Sequence, residues 1–327
     1  MLSGLLIFLA FLSIVYFLGP RPERVNLYPD LPVVPTDLAL LEKDVIESEN
    51  LIADLKPDNE ARIIWADSLK RKTPYSIVYI HGFGASWAEG DPVHKNIAKK
   101  YGANLYLSRL HDAGLSNPNA FDDLTPQNFV DGAKRALAIG KQLGDSVIVI
   151  GTSAGGLLSV YLAAHNPEIK ALVLYSPCIK TYKNKLAIAT GPWGPKIMKW
   201  VIGEHDILND ETPGRKDYWL NSQNTNGYLT LQKTIDAIAR PEIYSRIKMP
   251  VFMGYYFKNE EEQDKTVSVE AMRQMMGQLG TPQSQKVEKA FPESGHHVIA
   301  SRITSKDWQS VQKETEIFLE TVAGLKP

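Results

Sequence analysis

Asp145-Ser-Val-Ile-Val-Ile-Gly151-Thr-Ser153-Ala-Gly155-Gly156-Leu-Leu158 sets the reading of this chain of 327 residues. Val147 to Ile150 are β-branched and predict a buried strand. Leu157, Leu158, Val160, Tyr161 and Leu162 predict a helix packed on it. Between them lies G-x-S-x-G, in the strand–turn–helix setting where that pattern lifts a serine hydroxyl above a sheet. Gly151 and Gly155 suit a turn too sharp for a Cβ at either place. Ser153 is therefore the candidate nucleophile, and the amides that open the following helix point toward developing negative charge. The plainer alternative is a glycine-rich turn whose serine only caps the helix.

Working outward, Thr36-Asp37 opens an amphipathic helix carrying Leu38, Leu41, Val45 and Leu51. Strands are predicted at 61–65, 75–80 and 104–107, and a helix at 127–143. Beyond the elbow, further strands are predicted at 169–175, 250–256 and 285–290. Strands that alternate with helices mean an α/β fold, a mostly parallel sheet with helices on both faces. From about 178 to 248 the alternation lapses into a stretch rich in Trp, Tyr, Gly, Pro and Asn, with helical pieces at 195–202 and 229–238. A connection of that length is unusual inside a compact domain, so it reads as a cap inserted over the active-site end.

An acyl-transfer serine needs a base, an acid that orients the base, and donors for the oxyanion. His81-Gly-Phe-Gly84 directly follows the strand at 75–80. The backbone N–H of Phe83 would pair there with that of Ala154, the residue after the nucleophile. For the base, Gly295-His296-His297-Val-Ile299 follows the final strand, while the other histidines come before the cap or within it. Counting back from the apolar Val298-Ile299 selects His297, and counting forward from Gly295 selects His296. His297 is preferred, because the apolar pair should anchor the next helix and fix the ring. For the acid, Asp264 stands just ahead of a helix that begins near Ser268, where it could accept the imidazole N–H. Glu260, Glu261 and Glu262 compete, although most acids in such a run form a solvated face. The order Ser, Asp, His is the one this elbow expects.

Taken together, His81-Gly-Phe-Gly84, Arg109-Leu-His-Asp-Ala-Gly114, Gly151-Thr-Ser-Ala-Gly155, Asp264-Lys-Thr-Val-Ser268 and Gly295-His-His-Val-Ile299 resemble the α/β-hydrolase superfamily over about residues 60–325. Within it they look most like the capped carboxylesterase and monoacylglycerol-lipase-like branch, sometimes grouped with serine aminopeptidase-type hydrolases. The resemblance implies an α/β-hydrolase fold and hydrolysis of a carboxylic ester through a serine-bound acyl intermediate, without metal or cofactor. Serine at the elbow, in place of aspartate, argues against epoxide and haloalkane chemistry. The aromatic cap favours a small-molecule acyl substrate that is lipophilic, such as a short- or medium-chain ester or a monoglyceride. A serine peptidase and a non-catalytic binding protein of the same fold are the alternatives. The chain departs from the branch at His111-Asp-Ala-Gly114, where Gly-His-Gly is usual, in its longer and more acidic acid loop, and in the second histidine.

The 36 basic and 37 acidic residues give a net charge of −1 and no basic run, so nucleic acid has no electrostatic case. Cys178 is the one cysteine, which rules out an intramolecular disulfide. No H-E-x-x-H or paired Cys/His spacing occurs, so no metal site is expected. Leu2 to Leu18 carries no charge and stops at Gly19-Pro20-Arg21-Pro22. Without basic residues before it or small residues at its end, it reads as a single-pass membrane anchor over residues 1–19, with a signal peptide as the alternative. Arg21 and Arg24 then place the globular part on the cytoplasmic side. Residues 20–35 hold five prolines and read as an extended tether, leaving 36–327 as the hydrolase domain with its cap insertion.

Overall fold

The computed structural model describes residues 2–326. Its strands in chain order are β1 (Arg62–Ile64), β2 (Thr73–Ile80), β3 (Asn104–Leu107), β4 (Gly144–Thr152), β5 (Ala171–Tyr175), β6 (His205–Ile207), β7 (Ser222–Asn224), β8 (Val251–Tyr255) and β9 (Lys286–Ala290). Seven of them form one sheet in the order β1-β3-β2-β4-β5-β8-β9, and β6 and β7 pair separately. β1 runs antiparallel to β3, and the other five pairs of the large sheet are parallel.

The helices are α1 (Leu2–Phe17), α2 (Leu38–Asn50), α3 (Val93–Lys100), α4 (Pro126–Leu143), α5 (Ala154–His165), α6 (Gly194–Ile202), α7 (Arg215–Tyr218), α8 (Asn226–Ile238), α9 (Pro241–Tyr244), α10 (Val269–Gln278) and α11 (Trp308–Thr321). Successive strand side chains alternate between faces, and two cores result. Val78, Ile80, Val149, Leu172 and Leu174 pack with α4, α5 and α10 on one face. Ile77, Tyr79, Ile148, Ile150 and Val173 pack with α3 and α11 on the other. The sheet is thus buried on both sides, which is why its central strands read as continuous apolar runs.

Local signals set the helix starts. Thr125 Oγ1 accepts the Asn128 N–H at 3.2 Å while Asn128 Oδ1 accepts the Thr125 N–H at 2.8 Å, and Pro126 sits at the first turn of α4. Ser268 accepts the Ala271 N–H at 3.2 Å and starts α10. The sequence placed these elements to within a few residues. Between β5 and β8 the expected helical pieces occur as α6 and α8, with the β6–β7 hairpin and a 3₁₀ segment, Tyr182–Thr190, that the sequence did not announce.

The N-terminal expectation is overturned. α1 has 16 residues. At 1.5 Å per residue that is about 24 Å, short of a hydrocarbon core of about 30 Å. No helix among the described residues is long and apolar enough to cross a membrane. The single-pass anchor, the membrane partner and the topology inferred from Arg21 and Arg24 fall with it. The end of α1 instead meets the segment between β5 and β8. The Trp193 backbone N–H donates to Pro20 O at 2.8 Å, and its indole N–H donates to Val15 O at 3.2 Å. Residues 20–35 form neither helix nor strand, and Leu27, Leu31 and Val34 pack on the core.

Candidate active site

Ser153 follows β4 and precedes α5 with φ 53° and ψ −118°, a conformation that costs a non-glycine residue about 1–3 kcal/mol. The surroundings hold it there. Its N–H donates to Tyr175 O at 2.9 Å, and its carbonyl accepts the N–H groups of Cys178 and Leu157 at 2.8 and 3.1 Å. A Cβ on Gly155 would stand 2.1 Å from Ile80 O, and one on Gly151 would stand 2.3 Å from Ser159 Oγ. Glycine is required at both positions by the closeness of the backbone.

From Ser153 a hydrogen-bonded chain runs inward. Its hydroxyl donates to His297 Nε2 at 2.9 Å, and His297 Nδ1–H donates to Asp264 Oδ2 at 2.5 Å. Asp264 is buried, and its Oδ1 accepts the N–H groups of Thr266 and Val267 at 2.8 and 3.0 Å. Burial alone would depress the His297 pKa. The charge and hydrogen bond of Asp264, joined by the charge of Glu89, outweigh it and hold the imidazole above its usual value. Val298 and Ile299 are buried, and Ser176 Oγ–H donates to the His297 carbonyl at 2.8 Å. His296 turns elsewhere, with Nδ1 accepting the Val298 N–H at 2.9 Å. Burial first, then His297 and Arg215, push it down to about 4. Glu260, Glu261 and Glu262 are exposed and do not reach either imidazole.

The loop after β2 is fixed from both sides. His81 Nε2 accepts the Leu110 N–H at 3.0 Å, so Nδ1 carries the proton and donates to Gly82 O at 2.8 Å. Burial pushes this histidine down to about 4 and keeps it neutral. Ala154 opens α5, where its amide has no intrahelical acceptor, and Phe83 lines the same cavity as Ser153. Glu89 escaped the sequence reading. Its carboxylate accepts the Gly82 N–H. Glu89 Oε1 and Ser153 Cβ lie 2.6 and 3.0 Å from the point that a Cβ on Gly82 would occupy. Burial pushes Glu89 up to about 7, against the Gly82 N–H, His297 and Arg215. The available signal was an acid between Ala88 and Gly90, seven residues past Gly82.

Above Ser153 and His297 opens a cavity of about 710 Å³. The segment between β5 and β8 forms its roof, with Leu186, Met198, Ile202, Leu208 and Leu231 as apolar lining. Arg215, also missed in the sequence, lines it too. Outside this cavity, His111, Asp112 and Asp123 bring potential ligand atoms within 4.8 Å of one another. There His111 Nε2 contacts Asp123 at 2.8 Å, and Asp112 accepts the Phe121 N–H at 2.9 Å. Arg109, from the same motif, is paired with Glu49 at 2.6 Å and serves the structure.

No curated protein sequence matches the chain. Among solved structures, one of the metagenome-derived lipolytic enzymes LipS and LipT is similar at TM-score 0.66 and 17% identity, over 81% of this chain and 99% of that one. A soluble variant of the monoglyceride lipase from Saccharomyces cerevisiae, bound to a substrate analog, gives 0.62 and 13%, over 80% and 91%. The monoacylglycerol lipase of Paleococcus ferrophilus gives 0.56 and 16%, over 82% and 100%. At these identities the likeness is one of fold. The family profile described as the alpha/beta hydrolase family matches residues 77–302, more than half of the sequence, and the chain belongs to that family.

Proposed function

We propose that the protein is a serine hydrolase of carboxylic esters, with a lipophilic acyl group seated beneath the segment 178–248 acting as a cap. Ser153 Oγ attacks the ester carbonyl while His297 Nε2 takes its proton. Asp264 holds the imidazole in the required tautomer and stabilises the imidazolium without taking the proton itself. The N–H groups of Phe83 and Ala154 receive the oxyanion. His297 then protonates the departing alkoxide, and the acyl group stays on Ser153. A water deprotonated by His297 attacks that acyl-enzyme and releases the acid. Every step uses side chains and amides of this chain.

The observation that carries this reading is the hydrogen-bonded chain from Ser153 through His297 to Asp264, which opens into a mainly apolar cavity. A fluorophosphonate should label Ser153 in the wild type and leave the Ser153→Ala variant unlabelled. The same substitution should lower kcat on an activated butyrate ester by about 10⁶. A folded Ser153→Ala protein that keeps activity within about tenfold of wild type would overturn the assignment. Absence of both labelling and turnover in the wild type would leave a binding protein.

A further inference from the structure

The cavity wall beside His297 carries a cation whose hydrogen-bonding capacity is incompletely used. Arg215 Nε forms an ion pair with Asp210 Oδ2 at 2.6 Å, and its guanidinium lies over the Trp219 ring at 4.7 Å. These two contacts hold the group at the cavity wall. Its Nη1 is buried and has no hydrogen-bond partner among the described residues. Leaving a charged donor unpaired is costly, and a guanidinium edge fits a carboxylate with two parallel bonds. His296 lines the same cavity. Its Nδ1 is occupied by the Val298 N–H, so the neutral ring carries its proton on Nε2 and is a second donor. The acids nearby do not pair with Nη1. Asp210 is ion-paired with Arg215 and accepts the Thr212 N–H at 2.9 Å, and Glu89, which burial pushes up to about 7, accepts the Gly82 N–H. Two exposed lysines, Lys185 and Lys265, stand at the same cavity.

We propose that Arg215 and His296 form an anion subsite on the leaving-group side of the cavity, and that the substrates are acyl esters of a carboxylate-bearing alcohol. The inference rests on the hydrolase reading above. His297 must return its proton to the leaving oxygen, so the alcohol portion lies against His297 and next to the ring that adjoins it. The acyl portion takes the apolar side under the cap.

The test is a matched pair, O-butyrylglycolate and O-butyrylglycolamide, followed by butyrate release. Wild type should favour the carboxylate in kcat/KM by about tenfold or more. Arg215→Gln should bring that ratio close to one, and Arg215→Lys should keep part of it. A ratio between two substrates cancels any general loss of folded or active enzyme. A wild-type ratio of one or less, or an unchanged ratio in Arg215→Gln, overturns the subsite. So does a preference for the charge on the acyl side, read as ethyl hemisuccinate over ethyl succinamate. If neither butyryl ester is cleaved, the hydrolase reading fails separately. Calorimetric binding of the same two compounds to Ser153→Ala then decides the subsite alone: tighter binding of the carboxylate sustains it and equal binding overturns it.

Discussion

The floor and the roof of the cavity are built on opposite principles. In the floor, residues 147–164 are buried without interruption, and two glycines are in contact with backbone that leaves no room for a methyl group. In the roof, Lys183, Asn184 and Trp193 take left-handed φ values of 52°, 54° and 60°, and Trp200 is 86% exposed. The roof is tied to the floor at the loop after β2, where the Leu220 N–H donates to Gly84 O at 2.7 Å. The contrast separates two tasks. On the proposed mechanism the floor holds the reacting atoms, and its two elbow glycines leave no room for a Cβ. On the same reading the roof selects what enters, and most of its positions are expected to vary.

The largest effect should come from the floor's proton path. His297→Ala should lower kcat by about 10⁶, comparable to loss of the nucleophile. His296→Ala, one residue away, should lose about tenfold or less on a neutral activated ester, because its ring does not contact Ser153. The two kcat/KM values, measured on one ester, check this. A crippled His296→Ala beside a nearly normal His297→Ala would exchange their roles.

Next in size is Gly155→Ala. The added methyl would stand 2.1 Å from Ile80 O and 2.4 Å from His81 O, both backbone atoms that cannot step aside. A loss of about 3 kcal/mol or more is expected, read as a fall in the denaturant midpoint. A loss below about 1 kcal/mol would show that the floor yields, and the contrast with the roof would weaken.

That difference also explains what the sequence made legible. The elbow could be read because each of its residue types answers a local demand: glycine for close backbone, β-branched residues for a buried strand, small residues at the helix start. Val298-Ile299 favours His297 over His296, and both of those side chains are buried. Glu89 and Arg215 were not legible, because they reach the cavity from a short 3₁₀ turn and from a four-residue helix of the roof. Only tertiary packing brings them near His297. The N-terminal run misled for a related reason. Composition reports that a segment is apolar, but not that its helix stops at Phe17 and that the chain then docks on Trp193.

A smaller effect concerns pH. If His297 is the base, as proposed, it acts only when neutral, and its pKa is raised, so activity should climb with pH through a midpoint above the usual imidazole value of about 6.5. Glu89 contributes to that rise. Glu89→Gln keeps an acceptor for the Gly82 N–H and removes the charge, so the midpoint should move to lower pH. A kcat/KM profile of the two proteins checks it, and a midpoint that stays in place or moves upward would detach Glu89 from His297.

The smallest effect is expected on the roof, within one helix. Met198 and Trp200 both lie on α6, but Met198 is 6% exposed and lines the cavity, whereas Trp200 projects outward. Met198→Ala removes a packed side chain and should cost about 2 kcal/mol or more. Trp200→Ser removes a large side chain that is already in water, and with it little buried area. Its cost should lie within about 0.5 kcal/mol, although tryptophan is the larger residue by far. Denaturant midpoints of the two variants decide the matter, because burial and not residue size must set the order. If Trp200→Ser costs more than about 1 kcal/mol, the roof is packed against a surface on its outer side as well. The roof would then be as constrained as the floor, and substrate entry would depend on that outer contact.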